Sequence, residues 1–164
     1  GELLLQIDFL IETCRLLKEE NIHIALDTAG VGVGKYEEIL SLVDLVLLDI
    51  KHTDPQEYQN LTGHSMEEAL HFLDVLEKSN KPVWIRQVIV PGMMDNEDYL
   101  RSLNQFLKRL SHIERIDFLP YHKLGSEKYE KLNIFNPYRD MPEMDKKACE
   151  ELYQTFLKIR DENK

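Results

Sequence analysis

The stretch LVDLVLLDIKH, residues 42–52, is apolar enough for a buried strand, yet it ends on Asp49, Lys51 and His52. Its apolar body predicts a β-strand over residues 45–50, which we expect to be packed on both faces. Because side chains two apart on a strand share a face, Asp49 and Lys51 should point the same way, with His52 just outside. The charged end therefore indicates a ligand-binding rim at the end of a buried strand.

Outward from this stretch, three more apolar runs predict strands, and amphipathic spacing predicts helices between them. The further strands lie in IHIALDTAG (22–30), KPVWIRQVIVPG (81–92) and IERIDFLPYH (113–122). Four strands alternating with helices predict an α/β fold, with a parallel sheet of about four strands and flanking helices, either open or curled into a barrel. No linker or repeat interrupts the alternation, so residues 1–164 are predicted to form a single domain.

The helical segments carry start signals in the sequence. Apolar spacing predicts helices over residues 8–20 and 35–42. Ser65 and Glu68 have the spacing of a capping box and predict the start of another helix. Pro142 is predicted to lie in the first turn of the last helix, because proline is tolerated there.

Composition limits the class of protein. The 164 residues are 43% apolar and 30% charged, as in a globular domain, and the formal net charge of -10 argues against nucleic-acid or anionic-membrane binding. There is no apolar run of membrane-spanning length and no signal-peptide pattern. Cys14 and Cys149 lie on apolar helix stripes, where free cysteines are usual. Two isolated cysteines favour a reducing compartment, so we expect a cytoplasmic protein.

Charged residues recur at the ends of the predicted strands. In parallel sheets and barrels, ligands bind beyond the carboxyl ends of the strands, so these residues are candidates for a site. Each also has a simpler explanation: Lys51 would neutralise Asp49 in a local ion pair, and His122 would be a surface histidine. Arg86 is harder to explain in this way, because an arginine inside an apolar strand needs partners for its charge. The candidate residues are Asp27, Asp49, Lys51, Arg86 and His122.

Five segments in order resemble the strand-end segments of pyruvate formate-lyase activating enzymes. They are IHIALDTAG, DLVLLDIKH, YQNLTGHS, KPVWIRQVIVPG and IDFLPYHKLG. The resemblance covers essentially the whole chain and implies a partial (β/α)6 barrel of the radical S-adenosylmethionine class. In that family a 4Fe-4S cluster reduces S-adenosylmethionine, and the resulting deoxyadenosyl radical removes a hydrogen atom from a glycine of the partner enzyme. The implied partners are a glycyl-radical enzyme, with pyruvate formate-lyase the closest match, and flavodoxin or ferredoxin as electron donor.

The resemblance also implies roles for residues of this chain. Gly1 and Glu2 resemble the end of a Gly-Gly-Glu motif whose backbone receives the amino group of the methionine moiety. The remaining positions that match S-adenosylmethionine-binding residues, or would line the pocket, are Asp27, Asp49, Ile50, Lys51, Arg86 and His122. Asp27 and Asp49, on adjacent strands, would repel each other, so we predict that they share a monovalent cation.

The chain departs from the family pattern at its start. The first glycine of the motif is absent, and Leu3 stands where the family has proline. The Cys-x3-Cys-x2-Cys motif, which supplies three thiolates to the cluster, has no counterpart among two cysteines and would lie upstream of residue 1. We therefore predict that this chain alone binds no cluster, makes no radical and contains no catalytic residue of the reaction.

Three other functions fit the same residues. The chain would belong to the activase of another glycyl-radical enzyme, since related enzymes serve different partners. Alternatively, Lys51 with a carboxylate two residues before it suits a Schiff-base aldolase, with Asp49 or His122 as proton carrier. A third possibility is a non-catalytic domain that binds a nucleoside-like ligand or a partner protein.

Overall fold

The computed structural model describes residues 1–136 and 138–162, without the side chains of Ser126 and Glu127. These residues form two compact units. The first comprises residues 1–87 and 105–117, and the second comprises residues 88–104 and the described residues from 118 onward. Whether residues 1–164 behave as a single domain stays a prediction. Within the described ranges, no helix has the length and apolarity needed to cross a membrane.

The four predicted strands form one parallel sheet in the order β1-β2-β3-β4. Strand β1 pairs with β2 in parallel, and β2 pairs with β3 in parallel. The amide of Val83 donates to the carbonyl of His112, and the amide of Tyr121 donates to that of Ile89, so β4 runs alongside β3 in the same direction. The predicted α/β class is confirmed. The strands are β1 Ala25–Thr28, β2 Leu45–Ile50, β3 Val83–Ile89 and β4 Ile113–Pro120.

Seven α-helices lie in the described ranges and connect or flank the strands. The predicted helices at 8–20 and 35–42 are found within a residue of those bounds. Two short 3-10 turns, residues 3–6 and 123–125, precede helices. The α-helices are α1 Ile7–Glu19, α2 Tyr36–Leu42, α3 Pro55–Thr62, α4 Glu67–Ser79, α5 Glu97–Leu107, α6 Ser126–Lys131 and α7 Lys146–Asp161.

The capping box predicted for α4 does not form. The Ser65 hydroxyl accepts from the amide of Glu67 at 3.2 Å instead of from that of Glu68. The Glu68 carboxylate accepts from the hydroxyl of Tyr36 at 2.8 Å. Tyr36 is buried, and a buried hydroxyl needs a partner, so the tertiary contact replaces the local cap.

The start of the last helix was also predicted too early. α7 begins at Lys146, where the Asp145 carboxylate accepts from the amide of Ala148 at 2.8 Å. Pro142 lies four residues before the first helical residue and takes no part in the cap. A side-chain acceptor at the N-cap therefore fixes the start of this helix more strongly than the proline does.

One helix, α3, was not predicted. Asp54 caps it, with amides of Gln56 and Glu57 donating to its carboxylate at 2.9 and 3.0 Å, and proline follows at the first helical position. Gly63 ends it with a φ of 76°, a left-handed conformation that favours glycine. The signal was present in the sequence as Asp-Pro followed eight residues later by glycine, but the apolar stripe was too short to reveal it.

Strand β2 has one buried face, not two. Val46, Leu48 and Ile50 are buried, whereas Leu45, Leu47 and Asp49 are half-buried. The prediction that both faces are packed is therefore wrong for the first unit. This alternation places the charged end of the strand on the more accessible face.

Candidate ligand-binding site

Two paired strand positions create the centre of the candidate site. Asp49 at the end of β2 lies opposite Arg86 in β3, and Asp27 in β1 lies opposite Leu47 of β2. The half-buried positions of β2 and β3 alternate with buried ones, so Asp49 and Arg86 belong to the more accessible face. Parallel pairing therefore brings the side chains of three strands to one place.

Arg86 bridges two carboxylates. Its Nε lies 2.8 Å from Asp49 Oδ1, and one terminal nitrogen contacts both Asp49 Oδ1, at 2.8 Å, and Asp27 Oδ1. Partial burial by itself would lower the pKa of Arg86, but the hydrogen bonds and attraction of Asp27 and Asp49 outweigh it, so the pKa is raised. The expectation that this arginine needs partners is confirmed, and its charge is fixed at any physiological pH.

Lys51 joins Arg86, Asp27 and Asp49 in one charge network. Its Nζ lies 2.9 Å from Asp49 Oδ2, so Asp49 receives one cation on each oxygen. This is the local ion pair that the sequence offered as the simpler explanation, and it lies within a larger chain of charges. Two cations and two carboxylates alternate in the order Lys51, Asp49, Arg86, Asp27, which offers groups of both signs to a ligand.

Asp27 is the most exposed member of the network, with 58% of its side chain accessible against 23% for Arg86 and Asp49. It is therefore the carboxylate that solvent or a ligand reaches most readily. The monovalent cation predicted for Asp27 and Asp49 stays a prediction. Arg86 already supplies a positive charge between these carboxylates, so an added cation would have to join or displace the guanidinium.

Glu2 holds the end of β1 through its side chain. Its carboxylate accepts from the Thr28 hydroxyl at 2.7 Å, from the amide of Ala29 at 2.8 Å and from the amide of Leu4 at 3.2 Å. Gly1 is exposed. The predicted backbone role of Gly1 and Glu2 stays a prediction, whereas the tie between Glu2 and β1 was not anticipated. Thr28 is buried and in turn accepts from the amide of Gly30 at 2.9 Å, so it belongs to the support of the site.

Two residues next to the charged rim are buried. Ile50 lies on the covered face of β2, so its side chain is part of the core. His52 is 7% exposed, and its Nδ1 accepts from the amide of Asp54 at 3.1 Å. The prediction that His52 lies outside is wrong, because the two-residue alternation of β2 continues past its end and places His52 on the same side as the buried Leu48 and Ile50.

His122 lies in the second unit, just after β4. Half of its side chain is exposed, and its Nδ1 lies 3.9 Å from Glu143 Oε1. The same Glu143 oxygen accepts from the amide of Lys123 at 2.8 Å. Glu143 therefore fixes the turn that carries His122, while the predicted role of His122 in binding S-adenosylmethionine stays a prediction.

The cavity described on the core side of the strand end is too small for a ligand. A cavity lined by residues that include Lys51, His52, Tyr58 and Phe106 measures about 10 Å³. That is the lower limit for a single water molecule. We therefore expect a ligand of this rim to bind on the half-buried face that carries Asp49 and Arg86.

The described cysteines do not suit an iron-sulfur cluster. Cys14 and Cys149 are both buried, and burial raises the pKa of each thiol, with Glu150 adding to the effect at Cys149. A cluster requires thiolates, which these surroundings disfavour. Across residues 1–136 and 138–162, no three His, Cys, Asp or Glu side chains are grouped to hold a metal ion.

Curated relatives match the chain over most of its length. It is 47% identical over 96% of its residues to a pyruvate formate-lyase-activating enzyme of Clostridium pasteurianum. It is 41% identical over 84% of its residues to that of Streptococcus mutans, and 37% over 94% to that of Staphylococcus aureus. The chain spans 66%, 54% and 64% of these three relatives, less than two thirds of each. No family model matches the chain.

Solved structures share the fold. A crystal structure of a domain of pyruvate-formate lyase-activating enzyme from Bacteroides vulgatus superposes with a TM-score of 0.75 at 24% identity, covering 99% of this chain and 89% of that one. A radical SAM methyltransferase from Sphaerobacter thermophilus superposes with a TM-score of 0.71 at 14% identity, covering 97% and 46%. At these identities the likeness is one of fold. The curated relatives confirm the resemblance that the five strand-end segments indicate.

Proposed function

Because the chain is homologous over nearly its whole length to pyruvate formate-lyase-activating enzymes, we propose that it forms the S-adenosylmethionine-binding part of such an enzyme. The observation that carries the proposal is the identity of 37–47% to relatives of that name across 84–96% of the chain. The complete enzyme would activate pyruvate formate-lyase by removing a hydrogen atom from a glycine of that partner. Flavodoxin or ferredoxin would be its electron donor, and a cytoplasmic location stays a prediction.

The charge network supports the choice of ligand. S-adenosylmethionine carries a sulfonium, an ammonium, a carboxylate and ribose hydroxyls, so its pocket needs both anionic and cationic groups. Lys51 and Arg86 would hold the carboxylate, while Asp27 and Asp49 would hold cationic and hydroxyl groups. Glu2 would keep Asp27 in place through its hydrogen bonds to the end of β1.

In the proposed enzyme the bound S-adenosylmethionine supplies the reactive group that removes the hydrogen atom. The residues of this chain would bind and orient it. The 4Fe-4S cluster does not fit the two buried cysteines, so its ligands would come from outside this chain.

The proposal is tested with the complete polypeptide that contains this chain. Its coding sequence should specify three closely spaced cysteines before residue 1. After anaerobic reconstitution, mixing with pyruvate formate-lyase, S-adenosylmethionine and a reductant should generate a glycyl radical, measured by electron paramagnetic resonance. Arg86→Gln should abolish most of the signal, whereas the matched control Arg101→Gln, on an exposed helix surface, should not.

Two results would contradict the proposal. The absence of the three cysteines from the reading frame would exclude the radical enzyme. A radical signal that appears with another glycyl-radical enzyme but not with pyruvate formate-lyase would instead support an activase of that other partner.

A related prediction concerns the chain by itself. Because its two cysteines are buried, the 164-residue protein should bind no stoichiometric iron and sulfide after anaerobic reconstitution. Iron and sulfide are measured in the reconstituted chain, with the complete polypeptide as positive control. Stoichiometric cluster in the isolated chain would overturn this prediction.

The Schiff-base alternative has less support from the geometry. Lys51 Nζ contacts Asp49 at 2.9 Å, so an attack on a carbonyl would first require that contact to break. Borohydride reduction with a carbonyl substrate, followed by mass spectrometry, should therefore leave Lys51 unmodified. A trapped adduct on Lys51 would favour the aldolase. If S-adenosylmethionine bound but no radical formed in the complete polypeptide, the non-catalytic binding domain would be favoured.

A further inference from the structure

A buried imidazole follows directly after the charged end of β2. His52 is 7% exposed, and Ile50 on the other side of Lys51 is 6% exposed. Lys51 therefore lies between two buried neighbours while its own side chain keeps 37% of its surface accessible. Anchors on both sides restrict the positions that the Lys51 backbone can take.

The imidazole is joined to the start of α3. His52 Nδ1 accepts the amide hydrogen of Asp54 at 3.1 Å, which requires a ring nitrogen without a proton. The Asp54 carboxylate accepts from Gln56 and Glu57 at 2.9 and 3.0 Å and thereby caps α3. A continuous set of hydrogen bonds thus runs from the residue after Lys51 to the first turn of a helix.

Helix α3 is itself anchored in the core. Tyr58 is buried and packs in a cluster with Met66 and Ala69. It also lines the same small cavity as Lys51 and His52. Movement of the turn at His52 would therefore be resisted by the core of the first unit.

We propose that His52 is a positioning residue for the ligand-binding site. With its proton on Nε2, it fixes the turn after β2 through Asp54 and so keeps Lys51 in contact with Asp49, at 2.9 Å. The identity of the ligand, S-adenosylmethionine, rests on the proposed function. The positioning itself rests on the burial and hydrogen bonds of His52.

If His52 only filled space in the core, its asparagine and leucine variants would behave differently from what the positioning role predicts. Asparagine can accept the same amide hydrogen two residues ahead, as it does in Asx turns, although it fills less space. Leucine fills the space but accepts no hydrogen bond. If the acceptor matters, His52→Asn retains the function that His52→Leu loses.

The test measures S-adenosylmethionine affinity of the complete polypeptide by calorimetry. Loss of one buried hydrogen bond at the site is expected to weaken binding about tenfold in His52→Leu. His52→Asn should stay within about twofold of the unsubstituted protein. His112→Leu is the matched control, because His112 precedes β4 at the amino end of the strands and bonds Asn80 at 2.9 Å. It should leave the affinity unchanged.

The affinities of the variants distinguish a positioning role of His52 from a role in filling the core. Unchanged affinity in His52→Leu, or equal losses in the leucine and asparagine variants, would overturn the positioning role. If His52→Leu fails to fold, the ¹⁵N spectrum of the unsubstituted protein decides: a protonated Nδ1 overturns the proposal, and an unprotonated Nδ1 with normal binding by His52→Asn supports it.

If the unsubstituted polypeptide does not bind S-adenosylmethionine, the proposed function fails. The positioning role is then judged from amide hydrogen exchange. Faster exchange at Asp54 together with a shifted Lys51 side-chain resonance, in His52→Leu but not in His52→Asn, supports it. Identical spectra for the two variants overturn it.

Discussion

The two faces of β2 have different roles, although residues of both faces alternate along a strand of only six residues. Val46, Leu48 and Ile50 are buried in the core, whereas Leu45, Leu47 and Asp49 are half-buried. The covered face contributes stability by removing apolar surface from water. The other face ends in the charge network. A single strand thus separates packing from ligand recognition by its two-residue period.

The neighbouring strands repeat this division. In β1, Leu26 and Thr28 are buried while Asp27 is exposed. In β3, Ile85 is fully buried while Arg86 is half-buried. Substitutions on the two faces should therefore have different consequences, and the following predictions test that difference.

The largest effect is expected from a cavity on the covered face. Leu48→Ala should reduce the free energy of unfolding by about 2–5 kcal/mol, because Leu48 is almost fully enclosed. Leu47→Ala, one residue away on the half-buried face, should cost less than about 1 kcal/mol. Urea denaturation measures both. Equal losses would mean that the two faces pack equally well.

A smaller effect is expected from the charge network. Arg86→Gln leaves Asp27 and Asp49 without their shared cation and should lower the free energy of unfolding by about 1–3 kcal/mol. Arg101→Gln, which breaks an exposed pair with Glu97, should cost about 0.5 kcal/mol or less. Denaturation at low and high salt makes the comparison. If the two variants lose the same amount, the network is no more than a surface ion pair.

The last effect is absent at neutral pH, appears only at high pH and concerns Tyr36 in the core. Burial, followed by its hydrogen bond to Glu68, raises the pKa of Tyr36 to about 12. Because the folded pKa lies above the ordinary value near 10, the contribution to stability is complete below pH ~10 and is lost as the pH rises through about 12. Tyr36→Phe should remove that part of the pH dependence, measured by denaturation between pH 9 and 12. An unchanged slope would show that Tyr36 does not titrate in this way.

Most strands and helices could be predicted from the sequence because they follow the periodic spacing of apolar residues. The bounds of β2 were predicted to the residue, since six apolar or alternating positions leave few alternatives. Arg86 could be expected to need partners because it interrupts an apolar strand. Its bridging of Asp27 and Asp49 follows from parallel pairing once the strand order is known.

The parts that could not be predicted depend on contacts between distant residues. Glu68 has the local pattern of a cap, but the buried hydroxyl of Tyr36 takes its carboxylate. His52 looks like the first residue of a loop, yet it is buried and lines a small cavity with the distant residue Phe106. The tie from Glu2 to Thr28 joins positions 26 residues apart, and no local pattern reveals such a contact.

That tie has a consequence for local opening of the protein. The Glu2 carboxylate accepts from Leu4, Thr28 and Ala29, and so closes a ring of the chain that contains α1 and β1 without a covalent bond. Closing such a ring costs conformational entropy, which the chain regains only when the ring opens completely. Its hydrogen bonds should therefore break together rather than singly. The amides of Leu4 and Ala29 should therefore share one opening free energy in native-state hydrogen exchange, and residues 2–29 should behave as one cooperative unit.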